Sequence, residues 1–533
     1  MKRVFLAALG VIAVALWGLV WRAPLGIPNE WTIPPNATTW PLGSWGLPLA
    51  VLVIFGGAAG LSVYDRFKRA KSRKEQKNSV VTTLICLAIL CFLLPWTLLG
   101  PGALSRTVTT STLSRLTLEG RFNLLAAQWS DLATEYLGAA YKINDAREFT
   151  RTYAATQQRP TSRALSHLAT HPPGATLWFY GVRLFVEGVP GLSGNLNALA
   201  VRLTAQDEPT LFSLLSDVRQ TASLGAGGQA PAPLPQSAIG VSLMCVILMG
   251  LSLVVALPAV YGLATTGIDE NSLDMAEARG LFACTLWVLA PTLNLYAFTL
   301  DAVIACGAVW TLYLASRAFL TGRVGWAMAA GVAFSLTTQL SFGALCLAVV
   351  LVGAGWVAKV PPPKLLRVVG WALGGFLVTW GGAAIWGGFN PLTVMAQATA
   401  AHRFATLEVR PYSHWVLLNL LIWAIFCGWP LIAALIQSPR LGKELIIRTG
   451  SRKEVEVIPW GVAFALATIA TLVLLSLLGQ VRGEVERLWL FLLAPLTASV
   501  LVRSGKEATC LAVLQGAQTL VMAATIAPLV RPF

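Results

Sequence analysis

The chain has 533 residues, of which 56% are hydrophobic and only 12% are charged, and its mean hydropathy is +0.67. A soluble protein of this length carries about a quarter charged residues. The composition therefore excludes an ordinary soluble domain and indicates a polytopic membrane protein. The net charge of +15 does not indicate nucleic-acid binding. Its densest basic run, residues 65–77, lies between two apolar segments, where Lys and Arg mark the cytoplasmic face and contact anionic lipid.

Apolar segments long enough to cross a bilayer as a helix recur along the whole chain. We predict an all-α polytopic membrane protein with about 13 transmembrane helices. They lie near residues 4–22, 45–63, 80–99, 238–263, 280–296, 300–319, 325–340, 342–358, 368–387, 413–436, 458–478, 487–503 and 508–528. The first segment resembles a signal peptide, but its long apolar run and the lack of a clean small-x-small site favour an uncleaved helix. With the N-terminus inside, the basic loops are all cytoplasmic.

Three regions follow from these segments. Residues 1–100 form N-terminal transmembrane helices with a basic cytoplasmic loop, residues 101–236 form a large, mainly helical external loop region, and residues 237–533 form the main transmembrane region. Within the external region, residues 175–189 are apolar but carry Arg183 and Glu187, which is typical of an interfacial helix. All eight cysteines lie in apolar segments without a CxxC pair, so no disulfide framework is expected.

Polar groups gather on the predicted external face, and charges close to a bilayer usually mark a cavity or pathway. The segment WSDLATEYLGAAYKINDAREF, residues 129–149, contains Asp131, Glu135, Tyr136 and Asp145. On a helix, Asp131 and Glu135 would be one turn apart on the same face. A carboxylate beside a desolvated pocket has a raised pKa and can act as a general base. The alternative is an exposed acidic helix.

Two histidines precede a Pro-Pro-Gly sequence in SHLATHPPGATLWFYG, residues 166–181. His167 and His171 are four residues apart, a spacing that suits zinc on a helix. Pro172 and Pro173 disfavour helix at His171, so the sequence favours a rigid turn that places His171 at the membrane surface.

Two further clusters contain arginine. The predicted outer loop of residues 389–415 holds His402, Arg403 and Tyr412, and a guanidinium matches the geometry of phosphate oxygens. Glu486 and Arg487 stand at the start of a predicted span, where they either line a cavity or extend to the interface. The chain has no Walker A, GxGxxG, HExxH or GxSxG motif, which excludes ATP-driven transport on this chain and the commoner intramembrane hydrolases.

Several of these strings resemble the GT-C membrane glycosyltransferases, the group that includes protein O-mannosyltransferases and lipid A aminoarabinose transferases. The resemblance rests on the acidic motif in the external loop, HPPG at 171–174, APTLNLYAFTLDA at 290–302 and RGEVERLWLFLLAP at 482–495. It implies a polyprenyl-phosphate sugar donor, a lipid, protein or polysaccharide acceptor, and inversion at the anomeric carbon. It also implies an aspartate base, which motif order places at Asp131 with Asp145 as the substitute.

Donor-phosphate contacts are implied at His171, Arg403 and Arg487. The full set of expected substrate-binding residues is Glu135, Tyr136, His167, His171, His402, Arg403, Tyr412, Glu486 and Arg487. The resemblance requires no cofactor, although a divalent cation would stabilise the leaving phosphate. It places the protein in a bacterial plasma (inner) membrane, with its site on the external, periplasmic face.

Three alternatives stay open. A lipid-linked polymer ligase or polymerase would use the same donor chemistry. A secondary transporter or flippase of a lipid-linked or small anionic substrate would place charges near span centres and contain paired broken helices; here the spans are nearly free of charge. A purely structural membrane protein would not need the polar groups clustered in the external region.

Overall fold

The computed structural model describes residues 2–21, 25–27, 31–33, 46–69, 77–98, 122–130, 135–156, 167–225, 231–268, 273–436, 460–502 and 504–526. Helices dominate this part of the chain. The described strands form one short antiparallel hairpin of β1 (Leu25–Ile27) and β2 (Trp31–Ile33). The expected Asp131 and the segment up to Thr134 lie outside the described residues.

The N-terminal region contributes four helices. They are α1 (Lys2–Leu16), continued by a π-helical turn (Trp17–Trp21), α2 (Gly46–Val51), α3 (Gly57–Arg69) and α4 (Lys77–Leu98). The region predicted to be external is helical in its described part. Its helices are α5 (Phe122–Trp129), α6 (Tyr136–Ala140), α7 (Ala146–Thr156), α8 (His167–Thr170), α9 (Pro173–Gly188), α10 (Leu192–Thr204) and α11 (Glu208–Gly225).

Helix α9 corresponds to the predicted interfacial helix. Proline suits its first turn because the amide that proline lacks would have no partner there. Its buried face, which includes Phe179 and Val182, packs against α6 and α12 (Ala238–Thr265). Leu184 and Phe185, on the other side, are 48% and 55% exposed. This apolar exposed side fits a helix that lies against lipid.

The remaining helices form the bundle. They are α12, α13 (Leu273–Val288), α14 (Pro291–Leu295), α15 (Leu300–Thr321), α16 (Val324–Leu340), α17 (Leu347–Val357), α18 (Pro362–Gly387), α19 (Pro391–His402), α20 (Tyr412–Cys427), α21 (Trp429–Ile436), α22 (Trp460–Leu478), α23 (Val485–Leu488), α24 (Leu493–Ala498) and α25 (Gly505–Thr525). Within the described residues, seven helices are long and apolar enough to cross a membrane, or eight if α20 and α21, bent by 105°, form one span.

These helices define an all-α membrane protein, while the total of 13 spans stays a prediction. An interrupted helix explains part of the difference between the predicted number of spans and the number of long helices in the described residues. The segment predicted as one span at 487–503 is divided between α23, a 3₁₀ turn (Leu490–Leu492) and α24. This segment is buried inside the bundle. Non-helical backbone is tolerated at membrane depth only where protein or a water-filled cavity covers it, so the interruption is compatible with its position.

Contacts between helix ends fall into two groups. At one end, Tyr412 Oη at the start of α20 donates to Leu477 O at the end of α22 at 2.8 Å. At the other end, Lys364 Nζ near the start of α18 donates to Leu320 O at the end of α15 at 3.1 Å. The two contacts show that α22 runs opposite to α20, and that α18 begins at the end where α15 finishes. We call the first end the loop-side end, because α5–α9 contact it.

Side chains of helix α25 form hydrogen bonds with backbone groups at helix breaks, where those groups have no partner within a helix. Gln515 Nε2 donates to Cys427 O at 2.7 Å, and Gln518 Oε1 accepts from Trp429 N at 2.9 Å, both at the bend between α20 and α21. Thr519 Oγ1 donates to Leu289 O, beside the break before α14, at 2.6 Å. Since buried peptide groups without partners are costly, these three side chains make the helix breaks possible.

Helices α16 and α18 approach each other closely through two glycines. A Cβ atom on Gly331 would lie 1.9 Å from Ala372 O, and one on Gly375 would lie 2.3 Å from Met328 O. No side chain fits at these distances, so only glycine permits this packing. Small residues at helix contacts are typical of membrane bundles, where close backbone packing drives association.

Candidate active site

Two acidic residues with unusual backbone conformations border one polar region at the loop-side end. Glu135 (φ 58°) and Glu484 (φ 59°) are two of four non-glycine residues with positive φ in the described part of the chain. Glu135 immediately precedes α6, and Glu484 immediately precedes α23. Left-handed backbone is unfavourable for glutamate and persists where surrounding structure enforces it, often at functional sites.

The loop half of the site is built from α6, α7 and the turn before α9. Glu135 Oε2 accepts a hydrogen bond from Leu168 N at 2.9 Å. The buried Tyr136 ring contacts His171 edge-on, with 5.8 Å between centroids. Tyr153 Oη donates to His171 O at 2.9 Å. Backbone contacts thus fix the turn, and the turn places the His171 ring against Tyr136.

The Pro-Pro-Gly sequence sets the position of this turn. Helix α8 ends at Thr170, Pro172 is extended, and Pro173 begins α9, in agreement with the expectation that proline interrupts the helix at His171. A Cβ on Gly174 would lie 2.2 Å from Gln339 O at the end of α16. Glycine here lets α9 pack directly on the bundle.

The zinc interpretation of the sequence concerns His167 and His171. His167 opens α8, but its side chain lies outside the described part. Among the described residues, no group of three or more His, Cys, Asp or Glu side chains is placed to hold a metal ion.

The bundle half is a chain of alternating charges. Arg410 Nη2 contacts Glu484 Oε1 at 2.9 Å, and Arg487 Nη2 contacts Glu484 Oε2 at 2.6 Å. Arg487 Nη1 also reaches Asp301 Oδ2 at 3.3 Å, and Thr299 Oγ1 donates to the same oxygen at 3.1 Å. Each group is partly buried, and each arginine has a carboxylate partner. We call this row the ion-pair chain.

Glu486 lies next to the ion-pair chain and is only 2% exposed. Its Oε1 accepts from Tyr296 Oη at 3.3 Å, while Oε2 has no hydrogen-bond partner in the described structure. Burial and the neighbouring Glu484 raise the pKa of the Glu486 carboxyl to about 8, against the opposing effect of Arg487. This carboxyl therefore holds a proton over most of the neutral pH range.

The two halves lie within electrostatic range of each other. Burial is the main cause that raises the pKa of the Tyr136 hydroxyl; the charge of Asp301 raises it further and that of Arg487 lowers it. Helix α5 is fastened to the same region, since Gln128 Nε2 donates to Phe298 O at 3.2 Å. The expected residues Glu135, Tyr136, His171, Glu486 and Arg487 therefore belong to one polar region.

The structure also shows the surroundings of Asp145, the expected substitute base, and the backbone position of Glu135. Asp145 is exposed, and its Oδ1 accepts from Arg147 N at 2.7 Å and from Glu148 N at 3.3 Å, which caps α7. Glu135 lies outside any helix, so it does not share a helix face with Asp131, which is outside the described residues. Its backbone is left-handed, with a φ of 58°.

The remaining expected residues fasten two loops at the same end. His402 Nε2 lies 2.7 Å from Gln480 O, and the exposed Tyr412 Oη donates to Leu477 O at 2.8 Å. Arg482 lies over the Tyr412 ring, 5.8 Å from its centroid. Arg403 is exposed in a π-helical turn. In this structure Tyr412 fastens the start of α20 to the end of α22, and His402 fastens the end of α19 to the residues that follow α22.

Sequence reasoning missed several members of the site. Tyr296 and Asp301 lie within the string APTLNLYAFTLDA, but the string alone assigned them no role. Arg410 and Glu484 were recognisable as charges near span ends, without an indication that they contact each other. Their pairing depends on contact between loops separated by more than 70 residues.

The long apolar helices place this chain in the class of integral membrane proteins. Comparisons with protein-family models, with curated protein sequences and with solved structures find no match to the chain.

Proposed function

We propose that this protein is an integral membrane glycosyltransferase, which transfers a sugar from a polyprenyl-phosphate donor to an acceptor on the external face. One observation supports the proposal above others. Four segments that are remote in sequence contribute side chains to one polar region. They are the acidic, His-Pro-Pro-Gly, Thr-Leu-Asp and Arg-Gly-Glu-Val-Glu-Arg segments, and the side chains are Tyr136, His171, Asp301 and Arg487. That region lies where helices of the bundle end, the depth at which a lipid phosphate would lie.

In the proposed reaction, an aspartate carboxylate removes the proton from an acceptor hydroxyl. The acceptor oxygen then bonds to the anomeric carbon of the sugar, and the bond from that carbon to the phosphate oxygen breaks. Its electron pair leaves with polyprenyl phosphate. Arg410 and Arg487 would stabilise the negative charge that develops on this phosphate. Asp131, four residues before Glu135, is the proposed base, because Asp145 is already engaged in capping α7.

A transfer assay tests the proposal. Purified protein is incubated with a panel of labelled polyprenyl-phosphate sugars, with candidate acceptors and with or without a chelator. We expect Asp131→Asn to abolish transfer. Asp145→Asn is the matched control, because asparagine also caps helices, and it should retain transfer. No product from any donor, or full turnover in both variants, would contradict the proposed function. Chain length of the product separates single transfer from polymerisation.

A transporter or flippase is the second candidate, and the helix breaks favour it. The 105° bend between α20 and α21 and the interrupted segment α23–α24 are features that transporters use to line substrate sites. Reconstituted liposomes distinguish the two. A transporter moves labelled polyprenyl phosphate or its sugar conjugate between leaflets without changing it chemically, whereas the proposed enzyme consumes the conjugate.

A further inference from the structure

The carboxylate of Glu484 bridges two arginines. One oxygen contacts Arg410 at 2.9 Å and the other contacts Arg487 at 2.6 Å. The side chains of these residues are 27%, 12% and 23% exposed, respectively. Guanidinium groups that converge on the two oxygens of one anion form the arrangement that proteins use to bind phosphate and carboxylate groups.

The conformation of Glu484 is unfavourable in itself. Its φ of 59° lies in the left-handed region, which glycine and asparagine adopt more readily than glutamate. Such strain is expected where the glutamate side chain supplies the negative charge that the two arginines need while no ligand is bound. The strain would be retained because an unpaired, partly buried arginine pair is costlier.

A second observation nearby indicates that the local polar contacts are incomplete. Glu486 Oε2 is buried and lacks a hydrogen-bond partner among the described residues, only two positions from Glu484. Buried polar atoms in folded proteins are almost always paired with protein or an ordered molecule. A protonated Glu486 carboxyl would supply one donor to a phosphate oxygen beside the arginine pair.

We propose that the Glu484 carboxylate stands in for a ligand phosphate, and that a phosphate group displaces it from Arg410 and Arg487 on binding. A phosphate monoester carries close to two negative charges at neutral pH and three free oxygens, so it can replace a singly charged carboxylate. A phosphodiester carries one charge and competes less well. The choice of a lipid phosphate as the natural source rests on the proposed function.

The proposal implies that the arginines bind the phosphate of the reaction product in preference to that of the substrate. The sugar-linked donor is a phosphodiester, and the polyprenyl phosphate that leaves is a monoester. Displacement of Glu484 should therefore favour the state after sugar transfer, in which the arginines stabilise the leaving group. The return of Glu484 to the arginines would then help to expel the product.

Binding of farnesyl phosphate and of inorganic phosphate to the detergent-solubilised full chain tests the proposal. Glu484→Gln removes the competing charge and should tighten farnesyl phosphate binding by about tenfold, a change of roughly 1.4 kcal/mol. Glu484→Asn removes the same charge and suits the left-handed backbone better, so it repeats the test if the glutamine variant folds poorly. Arg410→Gln should weaken binding by a similar factor. Glu148→Gln, which breaks an exposed ion pair with Arg151, is the matched control and should change nothing.

The two probes distinguish the sources of phosphate. If the Glu484 variants bind both probes more tightly, the site recognises the phosphate group itself. If they bind only farnesyl phosphate more tightly, the site also needs the lipid. Unchanged or weaker binding of both probes in the folded Glu484 variants overturns the proposal, as does normal binding in Arg410→Gln. No sugar is present in this assay. A chain that behaves as expected here but transfers no sugar refutes only the proposed function.

Discussion

Replacement of Glu486 by glutamine tests the ionisation of the site without assuming any substrate. The wild-type carboxyl is 2% exposed and contacts Tyr296, Glu484 and Arg487 through hydrogen bonding or charge. Burial raises its pKa from 4.5 to about 8. Glutamine keeps the shape and stays neutral at every pH, so the variant removes the titration and little else.

The direction in which stability changes with pH follows from the number of protons that the folded and unfolded states bind. Between pH 4.5 and about 8, the unfolded carboxyl has lost its proton while the folded carboxyl retains it. Stability from this group is therefore fully present below pH 4.5 and is lost as the pH rises through about 8. The difference between the pKa values of 4.5 and about 8, at about 1.4 kcal/mol for each pH unit, amounts to about 5 kcal/mol.

Thermal unfolding of the solubilised protein, followed by tryptophan fluorescence from pH 5 to pH 9, provides the measurement. The Tm of wild type should fall with rising pH relative to that of Glu486→Gln, with the change complete slightly above pH 8. Glu148→Gln, at a half-exposed carboxyl, should run parallel to wild type. Parallel curves for Glu486→Gln and wild type would refute the assignment of a protonated carboxyl at this position.

Three further predictions concern the fold. Gln515→Leu should destabilise the protein by about 2 kcal/mol or more, because buried peptide groups at the bend between α20 and α21 lose their partners; Tm measurements check it. Gly331→Ala should strongly reduce folded yield in size-exclusion chromatography, whereas Gly370→Ala, with open space around it, should not. Asp145→Ala should cost about 1 kcal/mol through loss of the α7 cap, and Asp145→Asn only a few tenths, as denaturant titrations will show.

Much of the architecture could be predicted because hydropathy is a local property. Apolar runs located the long helices, and the mixture of apolar and charged residues at 175–189 located α9. Local apolarity does not reveal whether a segment is continuous or what surrounds it. The segment from α23 to α24 is as apolar as a span, yet it is broken and buried, and the three polar side chains that stabilise the neighbouring breaks lie on α25.

The site was only partly predictable for a different reason. Spacing along one helix identifies residues that share a face, but it does not identify which helix ends meet. Tyr296 and Asp301 gained their roles only through contact with Glu486 and Arg487. The left-handed Glu135 was also invisible, because glutamate carries no sequence signal for that conformation, whereas glycine does.

The two left-handed glutamates suggest how the halves of the site depend on each other. Each has left-handed backbone immediately before a short helix, and in each case the following residues, Tyr136 or Glu486 and Arg487, belong to the shared polar region. Glu135 is held by a backbone amide of the loop, and Glu484 by two arginines. A ligand anion would replace the second of these restraints but not the first. Displacement of Glu484 would therefore relax the bundle half while the loop half, with His171 and Tyr136, stays in place to position the bound molecule.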